Sequence, residues 1–411
     1  MDDSSVYTEN TSLKKSSKWK YLSFLLIVII MAETGFVVYN YLGYDSKFST
    51  LQTQLSSLHQ QLEDYTSIYA NIIDAKYQVV PENVSVSQLY EHVKDSIVMI
   101  QGLIVQTTWR GQQIIGTVQG SGFIYNYTGN MVVVTNYHVI EGTTEITVEF
   151  YNGNTYAAQT LGSDKYSDLA VLSVEAPSTE FQPLQITSSS TLRVGDYVIA
   201  IGNPYGLVGS MTTGIVSALG RTITESTSNY AIANVIQTST PINSGNSGGP
   251  LLNTYGQVVG ITTAIVSGST GVGFTIPSNT ILHEIGALVT TGSYTLHPYL
   301  GISGTDMSYS IAEKMGVSST YGVLITQVTS GGPASVAGLK GYTSIASIDG
   351  SSIYIGGDII IAIDGNRIVD MDSLLTYLEE NTLPNQTVNL TIIRNGLPTN
   401  ISLLLGTRPS T

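Results

Sequence analysis

The chain contains no cysteine. That excludes disulfides and thiolate metal sites, and it leaves the redox compartment undecided. Charge is sparse as well. Asp, Glu, Lys and Arg together make up 11% of the residues, against about 25% in an ordinary soluble protein. What charge there is sums to −14, which argues against a nucleic-acid partner, because phosphate binding needs clustered cations. No Gly-rich phosphate loop of the Walker type occurs, so turnover driven by ATP is not expected, and no cofactor is indicated. Histidine is limited to five residues: His59, His92, His138, His283 and His297. His283-Glu284 lacks the second histidine of a zinc-protease motif and reads as helix surface. Stability must therefore come from apolar cores and assembly, and 411 residues with 42% hydrophobic content can build two or three domains.

The densest chemistry lies in Gly245-Asn246-Ser247-Gly248-Gly249-Pro250. Small neighbours let a substrate backbone approach Ser247. The peptide N–H groups of this stretch, Gly245 and Ser247 above all with Asn246 between them, are candidates for an oxyanion hole. A serine hydroxyl needs a base, and the base needs an orienting group. His138 ends the apolar run Met131-Val132-Val133-Val134-Thr135-Asn136-Tyr137-His138. Asp168 precedes the apolar run Leu169-Ala170-Val171-Leu172, with Asp164 as the rival acid. The order His138, Asp168, Ser247 is one of the known triad orders. Six residues before the serine stands Pro241. It offers no charge to a Lys or Arg side chain, so cleavage after small or medium apolar residues is expected.

Three further groups of residues join these: Gly120-Ser121-Gly122-Phe123, Ala200-Ile201-Gly202-Asn203-Pro204 and Gly271-Val272-Gly273-Phe274-Thr275-Ile276-Pro277. With the triad stretches they resemble the HtrA/DegP serine proteases from about Val86 to the C-terminus. The resemblance implies a mainly β chain, with a chymotrypsin-like double β-barrel over residues 82–294 followed by an α+β PDZ domain over 295–411. The residues themselves show short apolar strands separated by Gly, Asn and Ser turns, which indicates an all-β sandwich or barrel. The chain departs from the family at Ser239-Thr240-Pro241, where the family usually has Asp-Ala, and this bears on the pocket wall. In the PDZ unit the resemblance implies that Tyr299-Leu300-Gly301-Ile302 holds the C-terminal carboxylate of a peptide by backbone N–H groups, with a helix over Asp372–Asn381 as the other wall. Gly341–Ile355 reads as an inserted hairpin turning at Asp349-Gly350.

The N-terminal part has its own pattern. Residues 1–20 form a polar tail ending in Lys14, Lys15, Lys18 and Lys20, and 21–43 form an apolar run. As a helix that run spans roughly 34 Å, enough for a bilayer core. The lysine asymmetry keeps the tail in the cytoplasm and exports the rest. No small-residue cleavage site follows the run, so a retained anchor is favoured over a signal peptide. Within 45–75, Phe48, Leu51, Leu55, Leu58, Leu62, Tyr65, Tyr69 and Ile72 alternate at spacings of three and four. That spacing suits a coiled-coil stalk or a single amphipathic helix lying on the protease domain. The resemblance implies a homotrimer or a higher multiple.

The expected function is a membrane-anchored, ATP-independent serine endopeptidase that cuts unfolded exported proteins on the outer face of the cell membrane. The alternative is a chaperone or peptide-binding scaffold whose triad is latent.

Overall fold

A computed structural model describes residues 85–409, apart from 108–112, 204–208, 225–230, 264–270 and 349, together with residues 31, 33, 34 and 55. The chain divides into two compact units, 1–76 and 77–411. No helix among the described residues is long and apolar enough to cross a membrane. The expected span at 21–43 and the stalk at 45–75 lie outside the described residues, save for residues 31, 33, 34 and 55.

The second unit opens on the helix Val86–Val93. Its N-terminus is closed by a capping box in which Ser85 and Gln88 satisfy each other's backbone amides. Six strands follow: β1 (Ile97–Thr107), β2 (Gln113–Tyr127), β3 (Asn130–Thr135), β4 (Glu145–Glu149), β5 (Thr155–Asp164) and β6 (Leu169–Val174). They close into an antiparallel barrel in the order β1-β2-β3-β6-β5-β4. A second barrel repeats the plan with β7 (Tyr197–Gly202), β8 (Ser210–Thr224), β9 (Ala231–Thr238), β10 (Pro250–Leu252), β11 (Val258–Thr263) and β12 (Gly273–Pro277), in the order β10-β11-β12-β9-β8-β7.

The strands of both barrels read as continuous apolar runs because each face of a strand has its own core to fill. Val133 of β3 packs inside the first barrel with Ile100 and Ile124, while its neighbours Val132 and Val134 face the seam between the barrels. In β7, Val198 and Ala200 fill the second barrel and Ile199 and Ile201 face the seam. Alternation still holds, since successive side chains point to opposite faces. The helix Ser278–Thr291 closes the seam core with Ile281, Ile285 and Leu288.

Beyond it, strands Ile302–Asp306, Val323–Val328, Ile359–Ile363, Thr387–Arg394 and Leu397–Leu404 form one sheet in that order, with Ile302–Asp306 at its edge. The helix Met371–Asn381 covers the sheet with buried Leu374 and Leu378. Arg394 locks this unit through two hydrogen bonds, each 2.7 Å, to the buried Asp358 carboxylate. The inserted segment forms a hairpin, Ser344–Ile348 against Ser351–Ile355. Ile348 pairs with Ser351, and Gly350 has φ +79°, the left-handed conformation that a two-residue turn requires.

The junction between the barrels and this sheet is ionic and buried. His297 Nε2 meets Asp164 Oδ2 at 2.6 Å, and its Nδ1 meets Glu379 Oε2 at 3.3 Å. The rings of Tyr166 and Tyr294 stand against the imidazole, and Arg408 lies over the Tyr166 ring. The Ser167 hydroxyl is 2.8 Å from Asp164 Oδ2 and 2.6 Å from Glu284 Oε2. One hydroxyl has one proton to give, so a carboxyl group must supply the other. Glu284 is that group: burial and the nearby Asp164 charge push its carboxyl well above the usual range. Its side chain is 3% exposed, so the expectation of helix surface is wrong for Glu284, although His283 is exposed. The pattern of one helix turn gave no sign that the 164–167 segment covers this position.

Burial alone would deprotonate His297, but its hydrogen bonds to Asp164 and Glu379 push it up to about 10. Burial likewise opposes the Asp164 charge, and His297 together with the Tyr166 amide and Ser167 holds that carboxyl below its ordinary value. The His297 contribution is complete below its unfolded pKa of about 6.5 and is lost as pH rises toward about 10. Glu284 adds a change of the same sign, since its protonated form is the one the fold favours. Asp164 acts oppositely, but only at acid pH. The unfolding free energy is therefore expected to fall between pH 6 and pH 9, with a slope reaching about 1.4 kcal/mol per pH unit for one proton, and the Tm falls with it. Calorimetry of the chain and of His297→Gln checks this, and the variant should lose most of the slope.

Candidate active site

His138 and Asp168 come from the first barrel. β3 ends at Thr135, and the one-turn helix Tyr137–Ile140 carries His138 outward. Asp168 sits just before β6 with φ +54°, a left-handed conformation that Asp tolerates better than most residues. That turn swings its carboxylate, which is 1% exposed, back onto the histidine. His138 Nδ1 lies 2.9 and 3.0 Å from the two Asp168 oxygens, and the His138 backbone N–H donates to Oδ1 at 3.0 Å. The Asn136 amide holds the Asp168 carbonyl at 2.9 Å. With Nδ1 turned to a carboxylate, the Nδ1–H tautomer is the one that fits.

A fourth donor comes from the second barrel. Thr263, at the end of β11, gives its hydroxyl to Asp168 Oδ2 at 3.2 Å. The sequence reading missed this contact, and the buried Thr262-Thr263 pair closing an otherwise apolar strand was its only signal. Asp164, the rival acid, lies in the junction with His297 instead. Asp164, Glu284 and His297 bring one ligand atom each within 4.8 Å of one another, a grouping that could hold a metal ion. In this structure the 2.6 Å bond from His297 and the shared Ser167 hydroxyl occupy those atoms.

Ser247 lies in the second barrel's loop before β10. The loop is threaded through a narrow space: a Cβ on Gly248, whose φ is +86°, would lie 2.1 Å from the Ser121 carbonyl and 2.3 Å from Thr135 Oγ1. Gly245 has φ +97°. These two positions need glycine, one for the close approach and both for the backbone conformation. The Ser121 N–H donates to the Ser247 carbonyl at 2.8 Å, and Thr262 Oγ1 donates to the Asn246 carbonyl at 2.6 Å. The Asn246 N–H donates to the Asn243 carbonyl at 2.9 Å. That amide is spent inside the turn, which corrects its inclusion among the candidate oxyanion donors. Pro241 is exposed and Ile242 half-buried, and the Pro241 carbonyl accepts a bond from Thr212.

In the PDZ unit, Leu300 is buried and Gly301 has φ +78°. The Gly301 and Leu300 carbonyls accept bonds from Thr329 and Ala334, which fixes the loop ahead of the edge strand at Ile302. Tyr299 ties its hydroxyl to Thr329 at 3.1 Å. The helix Met371–Asn381 stands beside that strand, with the Met371 N–H on Asp306 Oδ1 at 2.7 Å. The same helix touches the second barrel: Asp372 accepts from Arg221 and the Thr222 amide, and Glu380 accepts from Asn234.

If the Asp168 carboxylate sets the His138 tautomer, Asp168→Asn should lower kcat by about 10³- to 10⁴-fold with the fold intact. Asp164→Asn should act mainly on the Tm. Parallel kinetics and melting curves separate the two acids.

Comparison with known proteins fits this geometry. The trypsin-like peptidase domain matches residues 120–261 and the PDZ domain residues 298–405. The chain is 35% identical over 349 residues to Protease Do-like 1, chloroplastic, of Arabidopsis thaliana, covering 84% of this chain and 76% of that protein. It is 37% identical over 294 residues to the periplasmic pH-dependent serine endoprotease DegQ of Escherichia coli, covering 71% of this chain and 60% of that one. Among solved structures, the HtrA-type protease AlgW with decapeptide superposes with a TM-score of 0.60 at 28% identity, over 80% of this chain and 100% of that one. The serine endoprotease from Yersinia pestis superposes with a TM-score of 0.53 at 28% identity, again over 80% of this chain and 100% of that one. A double barrel that pairs His138 with Asp168, a glycine-bound serine on the facing barrel and a PDZ unit behind them place this chain in the HtrA/DegP family of serine endopeptidases.

Proposed function

We propose that the chain hydrolyses peptide bonds of unfolded exported proteins through Ser247, His138 and Asp168, without ATP. The observation that carries this is the His138–Asp168 pair at 2.9 Å, on the barrel whose Ser121 amide holds the Ser247 carbonyl at 2.8 Å. His138 Nε2 takes the Ser247 proton as Oγ attacks the scissile carbonyl. Asp168 steadies the imidazolium that forms. The N–H groups of Gly245 and Ser247 receive the oxyanion, the leaving amine takes the proton from His138, and water then releases the acyl group by the same route. The uncharged Pro241 position supports cleavage after Val, Ile, Ala or Leu.

The PDZ unit takes C-terminal peptides along the open edge of Ile302–Asp306, with the amides of Leu300, Gly301 and Ile302 on the carboxylate and Tyr299 bracing the loop. The lysines before the 21–43 run support a retained membrane anchor with a cytoplasmic N-terminus and an exported protease. The heptads at 45–75 support a stalk, and assembly as a homotrimer follows the family resemblance.

The detergent-extracted full chain, with the mass of three copies by light scattering, is expected to degrade unfolded casein without ATP, whereas Ser247→Ala leaves it whole. Among fluorogenic peptides, those with Val, Ile, Ala or Leu before the bond should be cut faster than those with Arg. If neither protein cuts but both suppress aggregation of the client, the scaffold reading replaces this one. Peptides with a free apolar C-terminus should bind Ser247→Ala, and amidation of that terminus should remove binding in a fluorescence-polarisation titration.

A further inference from the structure

Ser121 lies near the middle of β2, in the first barrel, and is fully buried. Every polar atom it has is spent on the site. Its N–H donates to the Ser247 carbonyl at 2.8 Å. Its carbonyl accepts from Thr135 Oγ1 at 2.7 Å, three residues before His138. Its hydroxyl donates to the Gly245 carbonyl at 2.6 Å and accepts from the Asn203 amide at 2.8 Å. The direction of these last two bonds is not ambiguous. A carbonyl only accepts, a backbone N–H only donates, and a hydroxyl with one proton can do each once.

The Gly245 carbonyl belongs to the peptide linking Gly245 to Asn246. The N–H of that same peptide donates to the Asn243 carbonyl at 2.9 Å. Both ends of the peptide plane are thereby tied, one by the turn and one by Ser121. Gly245 has φ +97° and no side chain, so it resists rotation less than any other residue would. Rotating the neighbouring planes about Gly245 would turn its N–H away from the oxyanion. The hydroxyl of Ser121 is the one side-chain group among the described residues that donates to the Gly245 carbonyl.

We infer that Ser121 is a positioning residue for the oxyanion hole: its hydroxyl, presented by the first barrel, holds the Gly245–Asn246 peptide of the second in the orientation that aims the Gly245 N–H at the developing oxyanion. The inference rests on the proposed reading of Ser247 as nucleophile. Preorganised donors count because they need no rearrangement when charge develops, and loss of one whole donor costs about 10²- to 10³-fold in kcat. Ser121 acts one peptide away from the donor, so a smaller loss is expected.

The test uses Ser121→Ala and the nearly isosteric Ser121→Cys, whose thiol is a weak donor, both in the full chain. Four quantities are read: kcat and KM on an apolar fluorogenic peptide, affinity for a peptidyl boronate that forms a tetrahedral adduct on Ser247, and Tm. Ser121→Ala should lower kcat by about 10- to 100-fold with KM within about twofold, and boronate affinity should fall by a similar factor. Ser121→Cys should fall between Ala and wild type, and it carries the test if the alanine variant does not fold. The inference is overturned if a folded variant keeps kcat and boronate affinity within about twofold of wild type. It is also overturned if activity falls only in step with the folded fraction. A wild type that neither cuts peptide nor binds boronate would remove both this inference and the protease reading, whereas variants that match an active wild type would remove this one alone.

Discussion

The groups proposed for catalysis are divided between two barrels, so the proposed site exists only where the seam between them is fixed. The apolar face of that seam, with Val132, Val134, Ile199, Ile201 and Ile261 buried, supplies the attraction. Apolar contact has no preferred direction, however, and it cannot by itself set an angle between an imidazole and a hydroxyl. Four polar contacts across the seam add direction: Ser121 N–H to the Ser247 carbonyl, Ser121 Oγ to the Gly245 carbonyl, Asn203 N–H to Ser121 Oγ, and Thr263 Oγ1 to Asp168 Oδ2. Each is shielded from water, where a hydrogen bond is expensive to leave unmade. The glycines of the nucleophile loop follow from this closeness, since any side chain at Gly248 would strike Ser121 and Thr135.

A second shared segment links the site to the PDZ unit. Residues 164–168 carry Asp168 at one end and Asp164 at the other, four residues apart in the chain. Asp168 faces His138, and Asp164 faces His297 just ahead of the PDZ fold. Ser167 reaches the helix Ser278–Thr291 through Glu284. Protons held on His297 and Glu284 leave one imidazolium paired with one carboxylate, Asp164, in the buried part of this junction, with Glu379 half-buried at its rim.

Much of this was legible beforehand. The order of the two domains, the strands beside His138 and Asp168 and the hairpin at Ser344–Ile355 all have local causes. Apolar runs set the strands, and a Gly in left-handed conformation set the turn. What escaped were hydrogen-bond partners, some near in sequence and some far. Asn246 stands beside the nucleophile and looked like an oxyanion donor, yet the turn uses its amide. Asp164 and Asp168 could not be ranked by geometry until β5 and β6 were paired.

The sequence by itself determined which residues are candidates for the chemistry, because reactive groups and the glycines that make room for them are written into short contiguous stretches. It also determined that two strand-rich bodies would form, because strand periodicity and turn residues act over only a few positions. Tertiary structure alone decided the partners. It gave Asp168 to His138 and Asp164 to His297, put Glu284 indoors, and turned Ser121 from one residue of a Gly-Ser-Gly stretch into a bridge between barrels. A buried polar group is stable only where a complementary group meets it, and that meeting depends on the packing of the whole chain.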